Sequence, residues 1–321
     1  MSRIASAEFR SKVCSAEDAA KIIKNGMNVG FSGFTGAGYP KAVPGAIAAI
    51  AKEAHARGEE FKIGVLTGAS TAPEMDGVLA EADAVGYRMP YQSDPIMRNK
   101  INDGTSGYQD IHLSHSGPQA WAGFMGKLDV ALIEVTAITA DGELVPSSSM
   151  GNNTIWLEAA DKVILEVNSW QSIDLTGMHD VYEGSALPPN RTPIPIVASG
   201  DRIGSTTIKI DPAKVVAVVE TDSEDRNTPF KPLDDESRLI AGHLLDFLAN
   251  EVKQGRLPKN LLPLQSGVGN IANAVLAGLL EGPFENLTSY TEVIQDGMVD
   301  LLDSGKMTVA SATAFSLSPE Y

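Results

Sequence analysis

Five short runs of the chain are apolar almost without interruption, and that continuity constrains the fold more than any other feature. Met27–Ser32, Lys62–Leu66, Leu128–Glu134, Lys162–Val167 and Val215–Val219 are rich in Val, Ile and Leu. A strand with one wet face alternates apolar and polar residues, whereas a strand covered on both faces does not. Stretches with helical spacing separate the runs. Among them are Pro40–Arg57, where Pro40 or Pro44 suits a first turn, and Gly151–Ala160. Strands alternating with helices predict an α/β fold with a mostly parallel sheet and helices on both faces.

The chain has 321 residues, more than one core usually holds. Thr221–Asp235 carries two prolines and five acidic residues and reads as a linker. A helix is expected over Glu236–Gln254, where Leu239, Ile240, His243, Leu244, Phe247 and Leu248 recur at helical spacing. Alternation then resumes through Leu261–Leu264, Asn270–Leu280, Tyr290–Ile294 and Met298–Leu302, with strand and loop over Met307–Leu317. The expected domains are therefore 1–229 and 230–321. The second is short for a doubly wound domain and is expected to be incomplete.

Three glycine-rich loops follow expected strands, where ligands of open α/β sheets bind. The first, Ser32 to Pro40, places Gly33, Gly36 and Gly38 in the order G-x-x-G-x-G. Glycines there allow backbone N–H groups to approach an anion, but a tight strand-to-helix turn fits equally well. The second, Thr67–Thr71, adds the hydroxyl of Ser70. The third, Gln265–Asn270, contains Gly267, Val268 and Gly269 and opens a helix. Glu292 falls in a short apolar strand followed by a turn and a helix, facing either solvent or a site; periodicity does not decide between them.

Other chemistries are poorly supported. His112 and His115 are three apart with no carboxylate at ligand spacing, so no metal is expected. G-x-S-x-G and the Walker pattern are absent. A dinucleotide-binding oxidoreductase is disfavoured by the glycine spacing. Net charge is −16, from 41 acidic and 25 basic residues, which argues against nucleic acid and anionic membranes as partners. The single cysteine, Cys14, rules out an internal disulfide. With no signal-like N-terminus and no apolar run of spanning length, a cytoplasmic location is expected.

SGFTGAGYPKAVP (32–44), LTGAST (66–71), LPLQSGVGNIANAV (262–275), EGPFENL (281–287) and EVIQDGM (292–298) together resemble the acetyl-CoA hydrolase/transferase family. The resemblance runs along essentially the whole chain. It implies two CoA-transferase-type domains, the second incomplete because full-length members are longer. It implies transfer of coenzyme A, as substrate, between an acyl-CoA and a small carboxylate, with succinyl-CoA and acetate as the indicated pair. The alternatives are hydrolysis of acetyl-CoA at the same site and an inactive fragment. The family's nucleophilic glutamate falls on Glu292 and its oxyanion-hole N–H on Val268, flanked by Gly267, Gly269 and Asn270. Ser70, Arg226, Gly36 and Gly38 fall on positions beside the substrate or CoA. A second oxyanion donor is implied beyond Tyr321, and a homodimer is the typical assembly.

Overall fold

The computed structural model describes residues 2–183, 189–227, 233–318 and 321. The chain forms two compact units: Met1–Ile194 with Ile203–Arg226, and Pro195–Arg202 with Asn227–Tyr321. The centre of the expected linker, 228–232, lies outside the described residues.

The first unit is built on eight strands. They are β1 (Asn28–Phe31), β2 (Ile63–Leu66), β3 (Val85–Met89), β4 (Gly107–Tyr108), β5 (Val130–Ile138), β6 (Leu144–Pro146), β7 (Lys162–Asn168) and β8 (Val215–Thr221). The sheet runs β4-β3-β2-β1-β5-β7-β8 with every neighbour parallel, and β6 pairs antiparallel with β5. Strand β5 shows why its run is almost continuously apolar. Val130 and Leu132 enter a core with Val29, Phe31 and the helix Val43–Ala56, while Ala131, Ile133 and Val135 enter a second core with Trp156 and Leu157. Both faces are covered, as parallel sheets require. Gly30 of β1 sits under Trp156, whose Cγ would lie 2.9 Å from an added Cβ; any side chain there would displace the ring.

The expected helices are found at Val43–Ala56, with Pro44 in its first turn, and at Asn153–Ala159. From β1 the chain turns to β2 on one side and later supplies β5 on the other. The carboxyl ends of β1 and β5 therefore flank a topological switch point.

The second unit contains the helices Asp235–Lys253, Asn270–Glu281 and Asp296–Asp303. Its strands are β9 (Leu287–Tyr290), β10 (Val293–Gln295), β11 (Met307–Ser311) and β12 (Ala314–Ser316). Strand β9 pairs with β11 and β10 with β12, both parallel. Leu276, Leu279, Leu287, Met298, Leu301 and Met307 form its core. Two expectations need correction. Leu261–Leu264 is not a strand: Leu261 and Leu262 have φ of 60° and 65°, so the backbone turns left-handed and only Leu264 bridges to Ser289. Tyr290–Ile294 is not one strand either, because Thr291 and Glu292 form a break between β9 and β10. Among the described residues no helix is long and apolar enough to cross a membrane.

Candidate active site

In the first unit the strand ends converge on a buried polar network. Loop 33–38 leaves β1 and folds back on itself through paired Phe34 and Ala37 backbone bonds. It is clasped to the loop after β2: Thr35 donates its N–H to Ala69 O and accepts the N–H of Thr71. Thr35 holds a φ of 50°, uncommon for a β-branched residue. Gly38, at φ 66°, donates to Asp225 Oδ1 at 3.1 Å and would bring a Cβ to 2.4 Å from Ser149 Oγ. Gly36 accepts the N–H of Arg226, while the Ser70 carbonyl accepts Arg88 Nη2 at 2.8 Å. The Arg226 Nε pairs with Glu74 at 2.8 Å, and Glu74 in turn accepts the Tyr39 hydroxyl at 3.0 Å. Ser70, Gly36, Gly38 and Arg226 thus share one unit and one set of strand ends. The backbone N–H groups of Phe34, Thr35, Ala37 and Gly38 are already bonded within the protein. At this loop the tight-turn reading describes those N–H groups better than an anion cradle does.

Beneath the loop lies a cation that sequence patterning did not single out. Lys41, its side chain only 2% exposed, donates to Glu134 at 2.6 Å, Asp225 at 2.8 Å and the Tyr39 carbonyl at 3.0 Å. Burial disfavours its charge, but Glu134 and Asp225 outweigh that and raise its pKa. Burial pushes the Glu134 carboxyl up to about 7, Lys41 pulling it down while Asp225 and Glu166 push it further up. Asn168 and Gln171 also donate to Glu134, each at 3.0 Å. Glu166, its pKa raised by burial, accepts the backbone N–H groups of Lys41, Ala42 and Val43, the shortest at 2.7 Å. The helix Val43–Ala56 has no cap from its own N-cap residue, Ala42, so Glu166 of β7 supplies the missing acceptors from across the sheet. The sequence held a signal for both acids: Glu134 and Glu166 are carboxylates that follow stretches of four or three consecutive apolar residues, Val130–Ile133 and Val163–Leu165. A buried charge in such a run must be paired.

A second buried pair fixes the loop that carries Ser70. Arg88 of β3 is fully enclosed, bonding Asp76 at 2.7 Å, the Thr67 hydroxyl at 2.9 Å and the Met89 carbonyl at 2.6 Å. His112 and His115 meet only ring edge to face, with centroids 5.3 Å apart.

In the second unit the break between β9 and β10 places Glu292 at the surface, between buried Thr291 and Val293. Its backbone is held: Thr291 N–H reaches Ser311 O at 2.9 Å, and Glu292 O accepts Thr313 N–H at 3.1 Å. The Gln265–Asn270 loop lies against the same break. Ser266 N–H donates to Thr291 Oγ1 at 3.2 Å, whose hydroxyl donates back to Ser266 O at 3.0 Å. Gln295 Nε2 donates to Gly267 O at 2.7 Å. Ser266 and Gly267 are therefore tied to Thr291 and Gln295, which flank Glu292 in sequence, and the next residue, Val268, is 54% exposed. Gly269, at φ 145°, precedes Asn270, the first residue of the helix Asn270–Glu281. Thr291 and Gln295 carry no signal of this role in the sequence, where both read as ordinary strand residues.

Comparison with known proteins places the chain. Residues 1–220 match the family described as acetyl-CoA hydrolase/transferase N-terminal domain. Over 318 residues the chain is 47% identical to the succinyl-CoA:acetate CoA-transferase of Clostridium kluyveri, covering 99% of this chain and 58% of that protein. It is 42% identical over 324 residues to an acetyl-CoA hydrolase of Neurospora crassa, covering 99% and 61%. The crystal structure of RipA from Yersinia pestis matches with a TM-score of 0.70 at 20% identity, covering 98% of this chain and 66% of that one. The RipA likeness supports the fold. The chain spans about three-fifths of the length of the curated relatives it matches.

Proposed function

The chain belongs to the acetyl-CoA hydrolase/transferase family, and on that premise we propose that the protein carrying it transfers coenzyme A between an acyl-CoA and a small carboxylate, with Glu292 as nucleophile. The single observation that supports this most is the anchoring of the Ser266–Val268 loop to Thr291 and Gln295, around a surface carboxylate at a strand break. Succinyl-CoA and acetate are the proposed pair, on the strength of the Clostridium kluyveri relative's name.

The proposed chemistry proceeds in two halves. A carboxylate oxygen of Glu292 attacks the acyl-CoA carbonyl, the C–S bond breaks, and CoA thiolate leaves a mixed anhydride behind. The thiolate attacks the glutamyl carbonyl and expels the product carboxylate, forming an enzyme–CoA thioester. The incoming acid runs these steps in reverse. Covalent catalysis divides one difficult exchange into easier steps. Each step passes through a tetrahedral oxyanion, and a backbone donor such as Val268 N–H would contribute about 3–4 kcal/mol there. Ser70, Arg226, Gly36 and Gly38 are assigned to positions beside the substrate or CoA.

Hydrolysis is the second reading, favoured by the Neurospora crassa relative's name. The same thioester would serve, with water as its acceptor; water exclusion alone separates the two outcomes. Incubating the protein with succinyl-CoA and acetate distinguishes acetyl-CoA formation from release of free CoA. Glu292→Ala should abolish both, and undiminished turnover in that variant removes Glu292 from the mechanism.

A further inference from the structure

The geometry points to Gln295 as a positioning residue that aims the Val268 N–H at the oxyanion by holding the carbonyl of the preceding peptide, an inference that rests on the Glu292 reading above. In a trans peptide the C=O and the following N–H lie in one plane and point in opposite directions. Fixing the Gly267 carbonyl therefore fixes the direction of the Val268 N–H. Gln295 Nε2 makes that contact at 2.7 Å, at the short end of N–H···O bonds.

Nothing else in the loop does this work as directly. Gly267 and Gly269 flank Val268, and an added Cβ at either would meet no atom within 4 Å. Val268 itself is 54% exposed, so packing does not set the orientation of its peptide. Two glycines around an unpacked residue leave that peptide free to rotate. The Thr291–Ser266 bonds restrain only the residue before Gly267, and the Ser266 hydroxyl approaches Gly267 O at a long 3.4 Å.

Gln295 is well placed for the task. It is the last residue of β10, fully buried, and locked in register opposite Ser316 of β12. The direction of its amide follows from the contact, since Oε1 facing Gly267 O would set two acceptors together. Its Oε1 has no partner among the described residues. A buried amide with one unmet half is unfavourable for stability alone, consistent with retention of its donor for another reason.

Removal of a whole oxyanion donor costs about 100- to 1,000-fold in kcat, so a donor present but misaimed should cost on the order of 10- to 100-fold. The test is steady-state kinetics of the protein carrying this chain with acyl-CoA and carboxylate, comparing Gln295→Met and Gln295→Glu with the parent. Gln295→Met, similar in size but without a donor, should lower kcat by that factor and leave KM for acyl-CoA unchanged. Gln295→Glu can donate only when protonated, so its kcat relative to the parent should fall as pH rises from 6 to 8. An unchanged kcat in Gln295→Met overturns the inference, as does a rise in KM matching the loss in kcat. Should Gln295→Met not fold, the Gln295→Glu profile decides: a pH dependence identical to the parent's overturns it. Glu292→Ala in the same series keeps the two ideas apart. Turnover in that variant defeats the underlying mechanism, whereas its loss beside an unimpaired Gln295→Met defeats the role of Gln295 alone.

Discussion

Replacing Lys41 by methionine tests whether the strand ends of the first unit depend on one buried cation. The ammonium group uses all three protons, on Glu134, Asp225 and the Tyr39 carbonyl. Removing one partner of a buried pair typically costs about 3–5 kcal/mol because the other charge is stranded. Here the acids retain neutral donors: Glu134 keeps Asn168 and Gln171, and Asp225 keeps Gly38 N–H, Ser148 and Gln171. The lower end, about 3 kcal/mol, is therefore expected, or roughly 6–12 °C in Tm for a unit of this size. All three tryptophans, Trp121, Trp156 and Trp170, lie in the first unit, so their fluorescence reports its unfolding. The pH dependence adds a second readout. In the parent, Glu134 titrates near 7 against an ordinary 4.5, so the folded state holds a proton the unfolded state has lost, and stability falls as pH rises between those values. Without Lys41 that carboxyl is pushed higher still. Below about pH 6.5 parent and variant share the same slope and the deficit stays constant; above 7 only the variant goes on losing stability, by about 1.4 kcal/mol per pH unit. A variant as stable as the parent, or a deficit that shrinks from pH 6 to pH 8.5, would refute this account of the network.

Glu166→Leu should destabilise the first unit by about 2–4 kcal/mol, since three N–H groups at the start of the helix Val43–Ala56 lose their acceptors. Glu166→Gln, which keeps an acceptor oxygen, should cost less than half as much; equal urea midpoints for the two would show that the carboxyl is not the cap. Gly38→Ala should cost about 2–3 kcal/mol, because φ of 66° and a Cβ 2.4 Å from Ser149 Oγ combine strain with overlap. A thermal midpoint within 1 °C of the parent's, on the order of a few tenths of a kcal/mol, would mean the loop relaxes freely.

The legible parts of this fold are those where burial dictates residue type. Strand β5 must feed two cores, so seven of its nine positions are apolar, and no partner need be known to read it. Strand β3 hides because Arg88 interrupts its pattern; its charge is made tolerable inside by Asp76, twelve residues upstream, with the Thr67 hydroxyl and the Ser70 and Met89 carbonyls. The same holds at the candidate site. Glu292 was found through the resemblance of its surrounding motif, yet its position in a strand break depends on Thr313 and Ser311, which no local rule connects to it. Lys41 sits within the motif SGFTGAGYPK, but its carboxylate partners come from β5 and the segment after β8, 93 and 184 residues away.

The acidic character of the chain and the proposed anionic substrate are reconciled once the cations at the strand ends are sorted by exposure. Lys41 and Arg88 are buried and bonded within the protein, so neither can turn to a ligand without stranding a carboxylate. Arg226 differs, for its side chain is 54% exposed and its partners Glu74 and Glu224 are themselves partly in water. Such pairs are worth about 0–1 kcal/mol, so an anion can compete for this guanidinium at small cost. Backbone donors carry no global charge, and Val268 N–H stands on an exposed loop remote in sequence from the buried acids. A net charge of −16 would therefore limit long-range attraction of the proposed CoA substrate more than its binding at close range.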